Sequence, residues 1–283
     1  MKRTFAAPRL LLGARSLSGV SRATRDRMIE LAARYHGPES LAVTLSKALD
    51  AGAEGILATP GPALRAALRE LKRTVPIAAV LPVLDEHERR EVEPSLEVLI
   101  RERFPQAGFA AKWRARFAGL GSGGDWSRLV PKLIELESGA VRRRELCAVV
   151  LAEPIADLAL ATGHAKLFAR FIKFVHGRFR VPAGIETCNL GVLLASLAEW
   201  EIAPDFIVGP VNPAGLGMKP DRDTLLAALR RSPVPVLATE LRAGGTVALA
   251  EGARFALESG ARGLVPDLVD LDDVASELKT LAG

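Results

Sequence analysis

The sequence predicts one (β/α)8 barrel, an α/β fold in which eight parallel strands alternate with helices. Three observations carry this expectation. Short aliphatic or β-branched runs alternate with longer helical patterns, the order that parallel strands with crossover helices require. Gly or Pro stands before most of the runs, where it ends a helix and opens an extended segment. About eight such units in 283 residues suit a closed barrel better than an open doubly wound sheet.

The strands are expected at 9–13, 55–59, 77–84, 146–153, 183–187, 206–210, 234–240 and 263–267. Gly52 precedes the second, Pro76 the third, Pro182 the fifth, Pro204 the sixth and Gly260 the eighth, while Pro235 opens the seventh. Between the fifth strand and the one before it, Leu167, Phe171, Phe174 and Val175 recur at helical spacing, with Lys166, Arg170 and Lys173 between them. This is an amphipathic helix over 166–180 that packs its Phe side on a sheet. Another helix is expected at 126–138.

One connection breaks the pattern. About 40 residues, 86–125, separate the third strand from the helix at 126–138, far more than a usual βα loop. They hold a short helix at 94–104, the aromatic-basic stretch Phe109-Ala-Ala-Lys-Trp-Arg-Ala-Arg-Phe117 and the flexible Gly119-Leu-Gly-Ser-Gly-Gly124. Because it follows a strand, the insertion belongs to the C-terminal face of the barrel, where barrel active sites lie. It reads equally as a lid or as a homo-oligomer contact. The domain reading is thus a single barrel over 1–283 carrying 86–125 as an insertion.

Composition fits a folded, soluble chain. Hydrophobic residues make up 49% and charged residues 25%, so a large core can be buried and disorder is excluded as the main state. The two cysteines, Cys147 and Cys188, fall in runs read as strands, and no Cys-x-x-Cys pair exists. A reducing cytoplasm is the expected location. No signal peptide follows Met1-Lys2-Arg3, and no run approaches the ~20 apolar residues of a membrane span. The net charge is +5, with basic clusters at 101–116, 142–144 and 166–180. These read as solvated helix faces, and without a binding motif no specific nucleic-acid partner is expected.

Candidate chemistry comes from the strand C-termini, which converge in a parallel barrel. They supply Ser16 and Ser18, Thr59, Asp85 and His87, Glu153, Glu186 with Thr187 and Asn189, Asn212, Glu240 with Arg242, and Asp267. Carboxylates sharing one mouth raise one another's pKa, and such a cluster serves a divalent cation, a cationic or polyhydroxyl ligand, or proton transfer. A one-residue change of register would instead turn any of them outward, toward helix arginines. The loop Leu241-Arg-Ala-Gly-Gly-Thr246 resembles a phosphate-binding turn, with Arg242, Gly244 and Gly245 as anion holders. The following strand is succeeded by Val265-Pro-Asp-Leu-Val-Asp270, which offers carboxylates in place of glycines, so a plain Gly-Gly turn before a helix competes with that reading. Glu153 and Glu240 also sit where retaining glycosidases place acid and nucleophile, about 5 Å apart. Ala152 and a single Tyr argue against a sugar site. Among the four histidines no metal spacing occurs, so a tight metal site is not expected, and only weak Mg²⁺ binding by carboxylates is compatible.

Several segments together resemble a set of poorly characterised bacterial and archaeal barrel proteins distantly similar to aldo-keto reductases. They are Arg9-Leu-Leu-Leu-Gly-Ala-Arg-Ser-Leu-Ser-Gly19, Ala48-Leu-Asp-Ala-Gly-Ala-Glu-Gly55, Val181-Pro-Ala-Gly-Ile-Glu-Thr-Cys-Asn189 leading to Asp205-Phe-Ile-Val-Gly-Pro-Val-Asn-Pro213, and Pro235-Val-Leu-Ala-Thr-Glu-Leu-Arg-Ala-Gly-Gly245. The resemblance implies the barrel. It also implies a reductase tetrad of Asp, Tyr, Lys and His, which this sequence lacks: its second strand ends Leu57-Ala-Thr59, its third carries no Lys, its fourth ends in Glu153, and Tyr35 precedes the second strand. NADPH-dependent hydride transfer is therefore not expected. In the closer set a His stands where this chain has Cys188 and a Lys where it has Glu240, so the chemistry has changed or been lost.

The resulting expectation is an enzyme acting on a small polar or anionic metabolite by carboxylate-mediated proton transfer, as in an isomerase or lyase. Glu186 and Glu240 would be acid and base, with Glu153 beside them. Asn189, Asn212 and Asp267 would orient substrate, and Arg242 with Gly244 and Gly245 would hold an anionic group. The rival is a non-catalytic barrel that binds a ligand or serves an assembly.

Overall fold

The structure, a computed structural model, describes residues 6–18, 23–71, 73–82 and 126–282. The insertion 86–125, which holds His87, and Asp85 just before it lie outside them.

Eight strands pair in chain order into one parallel sheet. They are β1 (Leu11–Gly13), β2 (Gly55–Ala58), β3 (Ile77–Leu81), β4 (Leu146–Leu151), β5 (Ala183–Glu186), β6 (Phe206–Pro210), β7 (Val236–Thr239) and β8 (Gly263–Leu264). Parallel bridges of Leu10 with Leu264 and of Gly13 with Asp267 close the sheet. Across that seam Leu264 N–H donates to the Arg9 carbonyl and Gly13 N–H to the Pro266 carbonyl, each at 2.8 Å. The expected (β/α)8 barrel is therefore present, and closure leaves no exposed sheet edge.

Helices cover the outside: α1 (Arg25–Arg34), α2 (Pro38–Asp50), α3 (Pro62–Glu70), α4 (Trp126–Glu137), α5 (Glu153–Ala161), α6 (Ala165–Arg178), α7 (Leu190–Glu199), α8 (Arg222–Arg231), α9 (Leu249–Glu258) and α10 (Val274–Ala282). The amphipathic pattern sits in α6, which buries Leu167, Phe168, Phe171 and Val175 and half-buries Phe174. Phe168 stacks on Trp200 with ring centroids 5.9 Å apart. Among the described residues no helix is long and apolar enough to cross a membrane.

Strand alternation divides the core in two. Leu11, Leu57, Ala78, Val80, Ala148, Val150, Phe206, Val208 and Leu237 fill the barrel interior. Leu12, Ile56, Ile77, Val149, Ile185 and Ile207 face the helices. In β5 the interior parity is that of Gly184, against which the Phe206 ring packs so closely that a Cβ would lie 2.5 Å from it. Glu186, two residues on, shares that parity and reaches the C-terminal mouth. A second close approach fixes the β7 side. A Cβ on Gly252 would stand 1.9 Å from the Leu241 carbonyl oxygen, so α9 rests directly on the loop that carries Glu240.

Several strands end earlier than their apolar runs. β4 stops at Leu151, and Glu153 is the first residue of α5 rather than the end of a strand, because Pro154 supplies a φ suited to a helix start. β8 shrinks to two residues, since Pro266 has no N–H for the ladder and Asp267 caps the 3-10 turn Leu268–Asp270 through Val269 N–H at 3.1 Å. Cys147 lies in β4 as expected, but Cys188 falls in the turn between β5 and α7.

Candidate functional site

At the C-terminal mouth lies a cavity of about 210 Å³ whose wall includes Glu153, Glu186, Glu240, Asp267 and Asp270 together with Arg15. Among the described residues, one cation thus shares a small space with five carboxyl groups.

Arg15 follows β1 and is anchored at its backbone, where its N–H donates to Asp267 Oδ2 at 3.0 Å. Its guanidinium then crosses the mouth to Glu186 Oε1, 3.4 Å away, and closer still to Glu153 Oε2. The Arg15 side chain is 36% exposed and that of Glu186 only 9%, so the cation faces the cavity while its partner lies beneath it. Burial pulls the Arg15 pKa down, but Glu186 and Glu153 outweigh that and hold it above the usual value. Burial pushes the Glu186 carboxyl up, Arg15 opposes this and Glu153 adds to it. A guanidinium does not lose its proton in a protein, so the acid is the titrating member of this pair.

The neighbouring turn is held from below by Asp157, one helical turn after Glu153 in α5. Its carboxylate accepts from the Thr187 hydroxyl, from Cys188 N–H at 3.2 Å and from Asn189 Nδ2 at 2.8 Å. Asn189 N–H donates to Thr187 Oγ1 at 2.9 Å. This network sets Cys188 on the cavity wall. Burial raises the Asp157 pKa against those hydrogen bonds. Donor atoms of Glu153, Asp157 and Cys188 lie within 4.8 Å of one another, a spacing a metal ion can use. The chain's own groups already address two of the three, Arg15 at Glu153 and three donors at Asp157.

The loops after β7 and β8 build the other half. Asp267 accepts from Arg15 N–H, from the hydroxyl and N–H of Ser16, the latter at 3.4 Å, and from Val269 N–H. Burial nevertheless raises its pKa, the Ser16 hydroxyl opposing most. Asp270 ends the same turn. Burial, then the charges of Asp267 and Glu240, push its carboxyl up to about 7, against the pull of Arg242 and Arg27. Glu240 has a left-handed backbone, φ 55°, and the turn continues through Ala243 at 47° and Gly244 at 70°. This turn breaks the strand parity and brings both Glu240 and Gly244 to the cavity.

Of the expected site residues, Glu153, Glu186, Glu240, Asp267 and Gly244 line the cavity. Asn189, Asn212, Arg242 and Gly245 are absent from its described lining. Asn189 spends its amide on Asp157. Asn212, fully buried, closes the loop after β6 by donating to the Leu216 carbonyl and accepting from Leu216 N–H, each at 2.9 Å. Arg242 donates to the Asp270 carbonyl at 2.8 Å and lies 3.9 Å from Asp272, while its Nε is buried without a hydrogen-bond partner. It braces the β8 loop rather than facing the cavity. Among the charged lining residues, Arg15 and Asp270 were not candidates from the sequence, and Cys188 was marked there only as a departure from the similar set. Arg15 and Asp270 lie beyond the nominal strand ends, and the signal for each was a charge within a loop already marked by its neighbours, Gly-Ala-Arg-Ser and Asp-Leu-Val-Asp.

No protein-family model matches the chain, and no curated protein matches it. Solved structures do. Gox0644 in its apo form is 12% identical, with a TM-score of 0.51 over 97% of this chain and 89% of that one. The aldose reductase of Giardia lamblia is 12% identical, with a TM-score of 0.47 over 98% and 92%. An aldo/keto reductase from Brucella melitensis is 12% identical, with a TM-score of 0.44 over 86% and 82%. At this identity the likeness is one of fold. Cys188 and Glu240, the two positions at which the chain departs from the closer set, both line the cavity.

Proposed function

We propose that this barrel is an enzyme that moves a proton on a small polar metabolite, the chemistry of isomerases and lyases. The observation that carries the reading is Asp270, whose carboxyl is pushed to about 7 in the same cavity as Glu240. An acid–base group works best when its pKa lies near the operating pH. Glu240 and Asp270 are the transfer pair in this reading, in place of Glu186 and Glu240. Glu186 and Glu153 hold Arg15, and Arg15 orients a polar substrate group. An anionic substrate suits the site poorly, because carboxyls outnumber cations among the described lining residues and Arg242 is spent on the β8 loop.

The test is proton exchange. The protein is incubated in D₂O with a library of small hydroxylated and amino metabolites, and loss of C–H signal is followed by proton NMR. Exchange at one carbon of one compound, lost in Asp270→Asn and in Glu240→Gln, is expected. Exchange that survives both substitutions overturns the assignment. A second reading, a divergent oxidoreductase, is favoured by the fold likeness to aldo/keto reductases. Titration with NADPH separates the two: sub-micromolar binding supports the oxidoreductase, and none is expected if proton transfer is the chemistry.

A further inference from the structure

The other end of the barrel, where the parallel strands begin, carries a basic surface at the entries to β4 and β5. Arg142, Arg143 and Arg144 precede β4, Arg178, Phe179 and Arg180 precede β5, and all five arginines are exposed. Of the basic clusters expected on solvated helix faces, Arg143, Arg144 and Arg180 stand in loops instead. The two strands are neighbours, and Arg178 Nε lies 3.1 Å from Glu135 of α4, the helix that leads into the first of these loops. Acids of the same elements are engaged: Glu135 with Arg178, Glu145 with Arg142 at 3.7 Å, and Asp205 with His176 at 2.6 Å and with Ala183 N–H at 2.7 Å. Arg180 also stands where a helix end favours another residue. Its N–H returns to the Val175 carbonyl at 3.2 Å to close α6, and its backbone is left-handed, φ 62°. Glycine takes that position without strain and arginine does not. Beside it Phe179 is half-buried, with the Phe174 ring edge-on at 5.7 Å and the Arg178 guanidinium 5.9 Å from its centroid.

From this arrangement we infer that the β4/β5 entry face binds single-stranded nucleic acid, with phosphates on Arg143, Arg144 and Arg180 and one base against Phe179. The cations of these two loops are all arginines, whose planar fork meets two phosphate oxygens at once, as a lysine does not. An aromatic ring set between arginines gives an unpaired base a surface to stack on, which a duplex would leave idle. A lipid surface fits less well. None of the large exposed hydrophobic side chains among the described residues lies in these loops, and an interfacial membrane site needs such side chains to insert. Phosphate and stacking contacts carry little sequence information, which agrees with the absence of a sequence-reading motif. The face lies at the opposite end of the barrel from the carboxyl-lined cavity, so the inference stands apart from the reaction proposed there.

The test titrates the intact protein into fluorescein-labelled oligo(U) and oligo(dT) of about 15 nucleotides, a length suited to one such site, and follows anisotropy at 50 and 200 mM NaCl. Binding is expected to weaken about twentyfold between the two salt concentrations, the loss that three phosphate contacts to a single strand produce. In the double variant Arg143→Gln/Arg144→Gln that loss should shrink to about threefold, the value for one remaining contact. Phe179→Leu should weaken binding about fivefold or more at either salt concentration and leave the salt dependence as it was. Arg180→Gly separates binding from folding: it should weaken binding while thermal unfolding stays level or moves upward, because glycine relieves the left-handed backbone. Tighter binding of oligo(U) names RNA as the ligand, tighter binding of oligo(dT) names DNA, and either supports the site. Absence of binding at 50 mM NaCl and about 20 µM protein would overturn the inference. So would binding that survives both the double variant and Arg180→Gly, by placing the contacts elsewhere on the chain. Vesicles of phosphatidylserine and phosphatidylcholine that displace the label at a lower phosphate concentration than unlabelled oligo(U) would overturn it in favour of a membrane surface.

Discussion

On the β4/β5 side of the mouth, Glu153 and Glu186 converge on Arg15, which is itself tied at its backbone to Asp267. On the β7/β8 side, Glu240, Asp267 and Asp270 converge with no cationic side chain in the described lining. Both halves stand at the ends of barrel strands and both gather carboxyls, yet they do different work. Where the chain provides a counter-charge, the carboxylates become a strut across the mouth. On the other side burial and the charges of Asp267 and Glu240 outweigh the pull of Arg242 and Arg27 and lift the Asp270 carboxyl to about 7, into the range where it exchanges protons with a neutral medium.

The first effect is expected from taking away the strut. Arg15→Leu leaves Glu153 and Glu186 without their shared cation, and since the Arg15 side chain is 36% exposed the cost should fall below that of a fully buried pair, at about 1–3 kcal/mol. Urea denaturation should show that loss, with part of it restored by adding Glu186→Gln. A loss below about 1 kcal/mol, the range of exposed pairs, would erase the distinction between the halves.

The next effect belongs to the other half and depends on pH. In the folded protein Asp270 holds its proton up to about 7, whereas an unfolded Asp releases it near 4. As pH rises through that window the unfolded state gives up its proton first, so stability falls between about pH 4 and pH 7 and is level on either side. Asp270→Asn removes this slope. Allowing for partial solvent screening, the variant should gain about 2–3 kcal/mol on the wild type at pH 8 and nothing at pH 3.5. Thermal unfolding across pH checks it, and a wild type that gains stability from pH 4 to 7 relative to the variant would reverse the sign.

A smaller effect should come from Asp157, which supports the turn between the halves. Asp157→Ala removes three acceptor contacts from Thr187, Cys188 and Asn189 and should cost about 1–3 kcal/mol. It should also speed iodoacetamide labelling of Cys188 severalfold and leave Cys147 slow, since burial pushes the Cys147 thiol up to about 11. Unchanged labelling of Cys188 would mean that Asp157 does not hold the turn.

The same comparison explains what could be read from the sequence. The barrel was legible because it rests on period and punctuation: Pro76, Pro182, Pro204 and Gly260 mark strand starts whatever the side chains later do. The convergence of Glu153, Glu186 and Glu240 followed from strand polarity alone, although Glu153 arrives there as the first residue of α5. The partners were not legible. Arg15 meets Glu186 across 171 residues of sequence, and no local pattern announces a side chain that crosses a barrel. Asn212 and Arg242 were the right chemistry in the right loops, but an amide or guanidinium can be consumed by nearby backbone carbonyls, and both are. Asp270 owes its character to burial beside Asp267 and Glu240, a property of the folded loop rather than of the residue.

The central claim, that the β7/β8 half keeps one carboxyl poised near neutrality, is tested most directly by its titration. Side-chain carboxyl carbons of aspartate are labelled with ¹³C, and the Asp270 resonance is assigned by its loss in Asp270→Asn. Followed from pH 3 to pH 9, it should titrate with a midpoint near 7. The midpoint should fall in Glu240→Gln, because one of the charges that lifts it is gone. A midpoint below 5 in the wild type, unmoved by Glu240→Gln, would contradict the account.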